Sequence, residues 1–223
     1  MKKNLFLEAI LKFLLGVLLV GVLIFLPAGT FRYYGGWLLV GILFVSMFAA
    51  GLVLLSKNPN LLQSRLKAKE TRAEQDLVVK LSGLMFIAGF VVAGLDFRFG
   101  WLTLPGWVNW VASGLFLIAY LLYAEVLREN AYLSRTIEVQ EGQKVVSTGL
   151  YGIVRHPMYS ATLLLFLSMP FVLGSFLSFL CFLFYPVLII KRLKNEETLL
   201  EEELEGYKEY KEKVKYRLIP GIW

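Results

Sequence analysis

The stretch SMPFVLGS, residues 168–175, sits in the middle of an apolar run that extends from 159 to 190. A membrane-crossing helix needs about 20 residues, so this run is too long for one simple span. Proline breaks helices and glycine permits a turn, so Pro170 and Gly174 predict a tight helical hairpin. The alternative is one long tilted helix, because proline is tolerated inside membrane helices. Charge placement favours the hairpin. Lys191, Arg192 and Lys194 follow the run directly. Basic residues gather on the cytoplasmic side of a membrane, and only a hairpin returns them to the side from which the run departs.

Working outward, the chain of 223 residues is 57% apolar and 18% charged. A soluble domain carries about 25% charged residues. The excess apolar residues are gathered into long runs at 5–26, 36–55, 77–95 and 105–127, each near the length of one span. The first run is too long for a signal peptide core and is followed by others, so it reads as a retained helix. Lys2, Lys3 and Lys12 flank it, and the polar connector 56–76 carries Lys57, Arg65, Lys67, Lys69 and Arg72. These place both termini and that connector in the cytoplasm. The expected fold is an all-α polytopic membrane bundle. It has four full spans, a C-terminal helical hairpin and a cytoplasmic tail helix. Residues 1–56 form an N-terminal transmembrane hairpin and 57–223 the functional core.

The chain has one cysteine, Cys181, and one histidine, His156. This excludes an intrachain disulfide framework and a cysteine or histidine metal cluster, and Cys181 in its apolar run reads as packing. The expected surroundings are a lipid bilayer and a hydrophobic substrate, with no nucleic acid and no metal. Asp96 and Arg98, on the predicted outer side, read as an ion pair closing a turn. Trp101, Trp107 and Trp110 read as an interfacial belt.

The single histidine stands beside an arginine in GLYGIVRHPMYS, residues 149–160. Pro157 suits the first position of a helix, and the residue before it is pushed to an extended form. His156 is then the cap of the hairpin's first helix, with Arg155 just outside it. Free N–H groups at that helix end and the guanidinium together suit an anion. Headgroup anchoring is the simpler explanation of such a rim. A second element argues against it. In the tail, Leu193, Leu200 and Leu204 form one stripe at helical spacing, with Glu196 and Glu197 close to it, Glu202 opposite and Glu205 well off it. Carboxylates on a buried face require partners. The hairpin would return Glu196 and Glu197 to the rim that holds Arg155 and His156. Arg217 reads as a latch for the tail.

These segments, GLYGIVRHPMYS, RLKNEETLL (192–200) and GYKEYKEKVKYRLIPGIW (206–223), together resemble the isoprenylcysteine carboxyl methyltransferase and phospholipid methyltransferase superfamily, most closely its prokaryotic membrane branch. The similarity covers most of 58–223. It implies an integral enzyme of a prokaryotic cell membrane that uses S-adenosylmethionine and releases S-adenosylhomocysteine. Carried over, Gly149, Tyr151, Arg155, His156, Pro157, Tyr159, Glu196 and Glu197 would line the cofactor site. The family often has a glycine two residues after the tyrosine; this chain has Ala161 there. Arg155, His156 and Asn130 are the catalytic candidates. Arg128, Glu129, Asn130 and Arg192 are candidates to face a lipid or prenylated acceptor, with a snorkelling helix end as the simpler account. Two rivals stand beside this reading. One is an NADPH-dependent reductase of sterol-like lipids, a group that resembles the superfamily in its C-terminal half; no Gly-rich phosphate loop is present. The other is a non-catalytic lipid-binding protein.

Overall fold

The computed structural model describes residues 2–66, 73–134 and 136–223. Lys67, Lys69 and Arg72 of the basic connector lie outside these, as do the side chains of Lys2 and Lys3. The described residues are helical, with no strand among them. The long apolar runs form α1 (Lys2–Ala28), α2 (Tyr34–Lys57), α4 (Ala73–Phe99) and α5 (Gly106–Glu129). Between them the polar connector holds a short helix, α3 (Pro59–Leu66). Sequence reading passed over α3, although Asn58 before Pro59 is a cap signal: its Oδ1 accepts the Leu61 N–H at 3.1 Å.

The hairpin forms. Helix α6 (Pro157–Leu173) runs out, and the arm formed by α7 (Phe176–Phe182) and α8 (Tyr185–Glu203) returns. The break falls at Gly174, not at Pro170. Pro170 sits within the last turn of α6 without ending it, whereas Gly174 takes φ +76°, a left-handed conformation open to glycine. The Ser175 N–H then bonds back to Pro170 O at 2.9 Å and the Gly174 N–H to Phe171 O at 3.0 Å. The return arm is itself interrupted at 183–184, just ahead of Pro186 in the first turn of α8. That signal was present in the sequence and was passed over. The tail ends α8 at Glu203, turns at Gly206 with φ +82°, and continues as α9 (Tyr207–Lys213).

Five stretches among the described residues are long and apolar enough to cross a membrane: Asn4–Ala28, Tyr34–Lys57, Gln75–Phe99, Gly106–Glu129 and Phe176–Glu203. Helix α6, at 17 residues, is shorter. It is nonetheless the centre of the bundle, packed along α5 and also against α2 and α7, while α4 fits between α1 and the return arm. Its last carbonyls would be orphaned in a hydrocarbon core. Two side chains answer them. Asn109 Nδ2 donates to Val172 O at 2.8 Å, and Tyr33 Oη donates to Leu173 O at 2.6 Å. Gly35 lets α2 approach this end; a Cβ there would lie 2.8 Å from Leu173 O.

Asp96 does not pair with Arg98. Residues two apart on a helix point to different faces. Asp96 is buried and accepts from the Leu102 N–H at 2.8 Å and from Ser175 Oγ at 2.5 Å. It thus ties the α4–α5 turn to the hairpin tip. Arg98 instead lies over the Phe99 ring.

Candidate functional site

At the other end of α6 the chain approaches through a 3-10 turn, Gly149–Gly152. Gly149 has φ +53°, and a Cβ there would collide with the Glu129 carboxylate. Glu129 accepts the Leu150 N–H at 3.0 Å from this position. Pro157 begins α6 and His156 caps it.

Around this helix start a buried ionic knot joins three distant segments. Glu197 Oε1 accepts from Arg155 Nε at 2.7 Å and lies 3.3 Å from His156 Nε2, while Oε2 accepts from Arg217 Nε at 2.8 Å. Arg155 Nη1 also donates to the carbonyls of Val214 and Lys215 at 2.8 and 2.9 Å. The tail is pinned further along its backbone. The Arg155 N–H bonds Tyr216 O, the His156 N–H bonds Arg217 O, and Ser160 Oγ bonds Leu218 O. Arg217 is therefore the latch, with its guanidinium also over the Trp223 ring at 5.2 Å. The side chains of Arg155 and Glu197 are each 4% exposed, so neither charge is stable there without the other.

Beside the knot opens a cleft of about 90 Å³. One wall is α8 and the start of α9, with Arg192, Glu196, Leu200, Tyr207 and Tyr210. The other is formed by described residues of the loop after α5, within 130–134 and 136–146, and the floor is Tyr151, Arg155, His156, Met158 and Tyr159. The neighbouring carboxylates of α8 thus separate: Glu197 is sealed in the knot and Glu196 lines the cleft. Glu196 is hydrogen-bonded by Tyr159 Oη, which accepts in turn from Arg192 Nε at 3.2 Å. Asn130 ends α5 and donates to Tyr151 Oη at 3.0 Å. Tyr210 Oη donates to Tyr151 O at 2.7 Å.

Tyr207 lines the cleft and is 4% exposed, and its buried hydroxyl has no hydrogen-bond partner among the described residues. Buried hydroxyls without partners are uncommon, and one on a cleft wall points to a ligand. Burial, with the nearby Glu197 and Glu196 carboxylates, pushes this phenol far above its usual value. Tyr151 is pushed up chiefly by burial too, so both remain O–H donors.

Of the expected site residues, Tyr151, Arg155, His156, Tyr159, Glu196, Asn130 and Arg192 meet at the cleft. Gly149, Pro157 and Glu197 stand behind it and shape it. Arg128 is not brought there: it is exposed and pairs with Glu125 one turn back on α5. Glu129 faces the backbone of the 149–152 turn and is occupied by it. Arg155, expected to receive an anion, has its Nε and Nη1 engaged within the protein. Sequence reading missed Tyr207 and Tyr210 as wall residues, although their i, i+3 spacing beyond Gly206 sets them on one helical face. The loop wall 132–146 has no periodic signal that could have announced it.

Comparison with known proteins adds two findings. Residues 107–206 match the family described as phospholipid methyltransferase. Shorter segments resemble sterol reductases: 31% identity over 91 residues with Delta(14)-sterol reductase of Mus musculus, and 27% over 93 with Delta(14)-sterol reductase of Methylotuvimicrobium alcaliphilum. The 7-dehydrocholesterol reductase of Arabidopsis thaliana gives 33% over 82 residues. These matches cover 40%, 40% and 35% of this chain but only 22%, 22% and 19% of the respective relatives. The stretch from the start of α5 through the turn at Gly206, which builds most of the cleft, is thus the part of this chain that is similar to the phospholipid methyltransferase family.

Proposed function

We propose that the protein is an S-adenosylmethionine-dependent membrane methyltransferase whose acceptor is a bilayer-embedded lipid or prenylated molecule. The observation that supports this is a coincidence of place. The family match ends at Gly206, and within it lie nearly all the cleft residues, with Tyr207 and Tyr210 immediately after.

The donor set suits the cofactor. Glu196 offers a carboxylate for an ammonium or for ribose hydroxyls, and Tyr207 offers a buried O–H that has no acceptor among the described residues. The Tyr151 and Tyr159 rings suit a sulfonium. When bound, the cofactor supplies an electrophilic methyl group. Arg155 and Glu197 act as positioning residues: they hold the start of α6 and the tail in register, and with them the His156 and Tyr159 rings, which stack at 5.8 Å. Asn130 and Arg192 stand where an acceptor reaches the cofactor. Methyl transfer is an in-line displacement, so alignment of acceptor and cofactor contributes most of what the protein must supply. A carboxylate acceptor needs no base. An amine acceptor needs one, and His156 is the candidate. The division into an N-terminal hairpin, 1–56, and a catalytic core, 57–223, with both termini in the cytoplasm, belongs to the same proposal.

The sterol reductase matches favour a second reading, reduction of a sterol-like lipid with NADPH. Titration of the purified protein with S-adenosylhomocysteine and with NADPH separates the two. Saturable binding of the first, weakened in Glu196→Gln, supports methyl transfer. Binding of NADPH alone overturns it.

A further inference from the structure

A second cavity lies outside this cleft, among α1, α2 and α3. Its volume is about 330 Å³, at the lower end of the roughly 300–1,000 Å³ typical of ligand pockets. That is room for about one hydrocarbon chain. Its walls are apolar, with Ile10, Phe13, Met47, Phe48, Leu52 and Leu62 among them. Two cations stand on it, Lys12 and Arg65. Lys12 is matched by Glu8 at 2.6 Å and caps Leu66 O at 2.8 Å.

Arg65 is different. It is half-buried, and among the described residues its guanidinium meets no carboxylate. Its partners are neutral: Ser134 O at 3.1 Å, Met158 Sδ at 3.9 Å, and the hydroxyl of Tyr123, whose ring it also approaches. A partly desolvated cation with no counter-charge among the described residues, on the lining of an apolar cavity, suits an anionic head carried on an apolar chain. We propose that this groove binds a single-chain amphiphile with an anionic head, drawn from the bilayer, its chain between α1 and α2 and its head on Arg65. Ser134 and Met158 also line the cleft, so the head group lies beside the cleft's rim. The site stands whether or not the cleft transfers methyl groups.

The test uses the full chain in detergent micelles and a diazirine-bearing palmitate, with crosslinks mapped by peptide mass spectrometry. Labels are expected on α1 and α2 peptides that contain Phe13, Met47 and Phe48. Excess palmitate should suppress them at about one-tenth the concentration that hexadecanol requires. Arg65→Gln should reduce labelling several-fold. A Cβ on Gly51 meets open space within the groove, so Gly51→Leu fills the groove without a clash and should abolish labelling while leaving thermal stability intact. Equal suppression by hexadecanol, equal suppression by phosphatidylglycerol, or undiminished labelling in Gly51→Leu overturns the proposal. S-adenosylhomocysteine binding measured on the same variants reports the cleft separately.

Discussion

The two ends of the hairpin are each organised by a buried carboxylate, yet they are built differently. At the Gly174 end Asp96 accepts from neutral donors, the Leu102 N–H and the Ser175 hydroxyl. Asn109 and Tyr33 cap the last carbonyls of α6 nearby. At the Pro157 end Glu197 draws Arg155 and Arg217 together with His156, and beside that knot a cleft opens with an unpartnered hydroxyl on its wall. Short-range neutral bonds suffice where the two joined segments are turns whose positions the helices already set. Charged bonds are used where a loop, a helix and the terminal tail must converge from residues 155, 197 and 217. The first end is closed. The second is held rigid beside an open cleft.

The largest effect that should break this comparison comes from Glu197→Ala. It leaves Arg155 buried without its counter-charge, a loss of about 3–5 kcal/mol. Thermal unfolding in detergent should fall sharply, and limited proteolysis should release the segment after Val214; an unchanged melting temperature would show that the knot does not hold the tail. Asp96→Ala comes next. It orphans the Leu102 N–H and the Ser175 hydroxyl at a cost of about 1–3 kcal/mol. Here the melting temperature should drop while S-adenosylhomocysteine affinity of the folded protein stays constant, and a parallel fall in affinity would erase the distinction between the ends. Glu196→Gln keeps an acceptor for Tyr159 but removes the charge that lines the cleft. Calorimetry should give about tenfold weaker S-adenosylhomocysteine binding, about 1.4 kcal/mol, without loss of stability. The smallest effect belongs to Tyr207→Phe. Removing a hydroxyl that has no partner should leave stability unchanged or slightly raised, and should weaken the same ligand by about 0.5–1.5 kcal/mol. If affinity does not move, Tyr207 faces the cleft without serving it.

The apolar runs and the turn at Gly174 were legible because each rests on a local rule: length for a span, absence of a Cβ for a left-handed residue. So was the meeting of Glu197 with Arg155 and His156, since helical spacing put the carboxylate on an apolar face and the hairpin returned it. Asp96 misled because its chain neighbour Arg98 looked like a partner, while the true partner, Ser175, lies 79 residues away. Arg128 and Glu129 misled for a related reason. Both sit in the last turn of α5, whereas Asn130 has left the helix for an extended conformation, and of the three only Asn130 reaches the cleft.

What the sequence determined by itself is the membrane class, the helical elements, the reversal of the chain and the set of polar groups that could not stay buried alone. The division of labour between Glu196 and Glu197 was decided only by tertiary structure. Adjacent residues share every local preference, and which one meets a guanidinium and which one meets open space depends on where α8 lies against the start of α6 and the tail. The same holds for Tyr207 and Arg65. Which partners a group finds is decided only when its surroundings are assembled, and the pattern of residues along the chain carries no record of that.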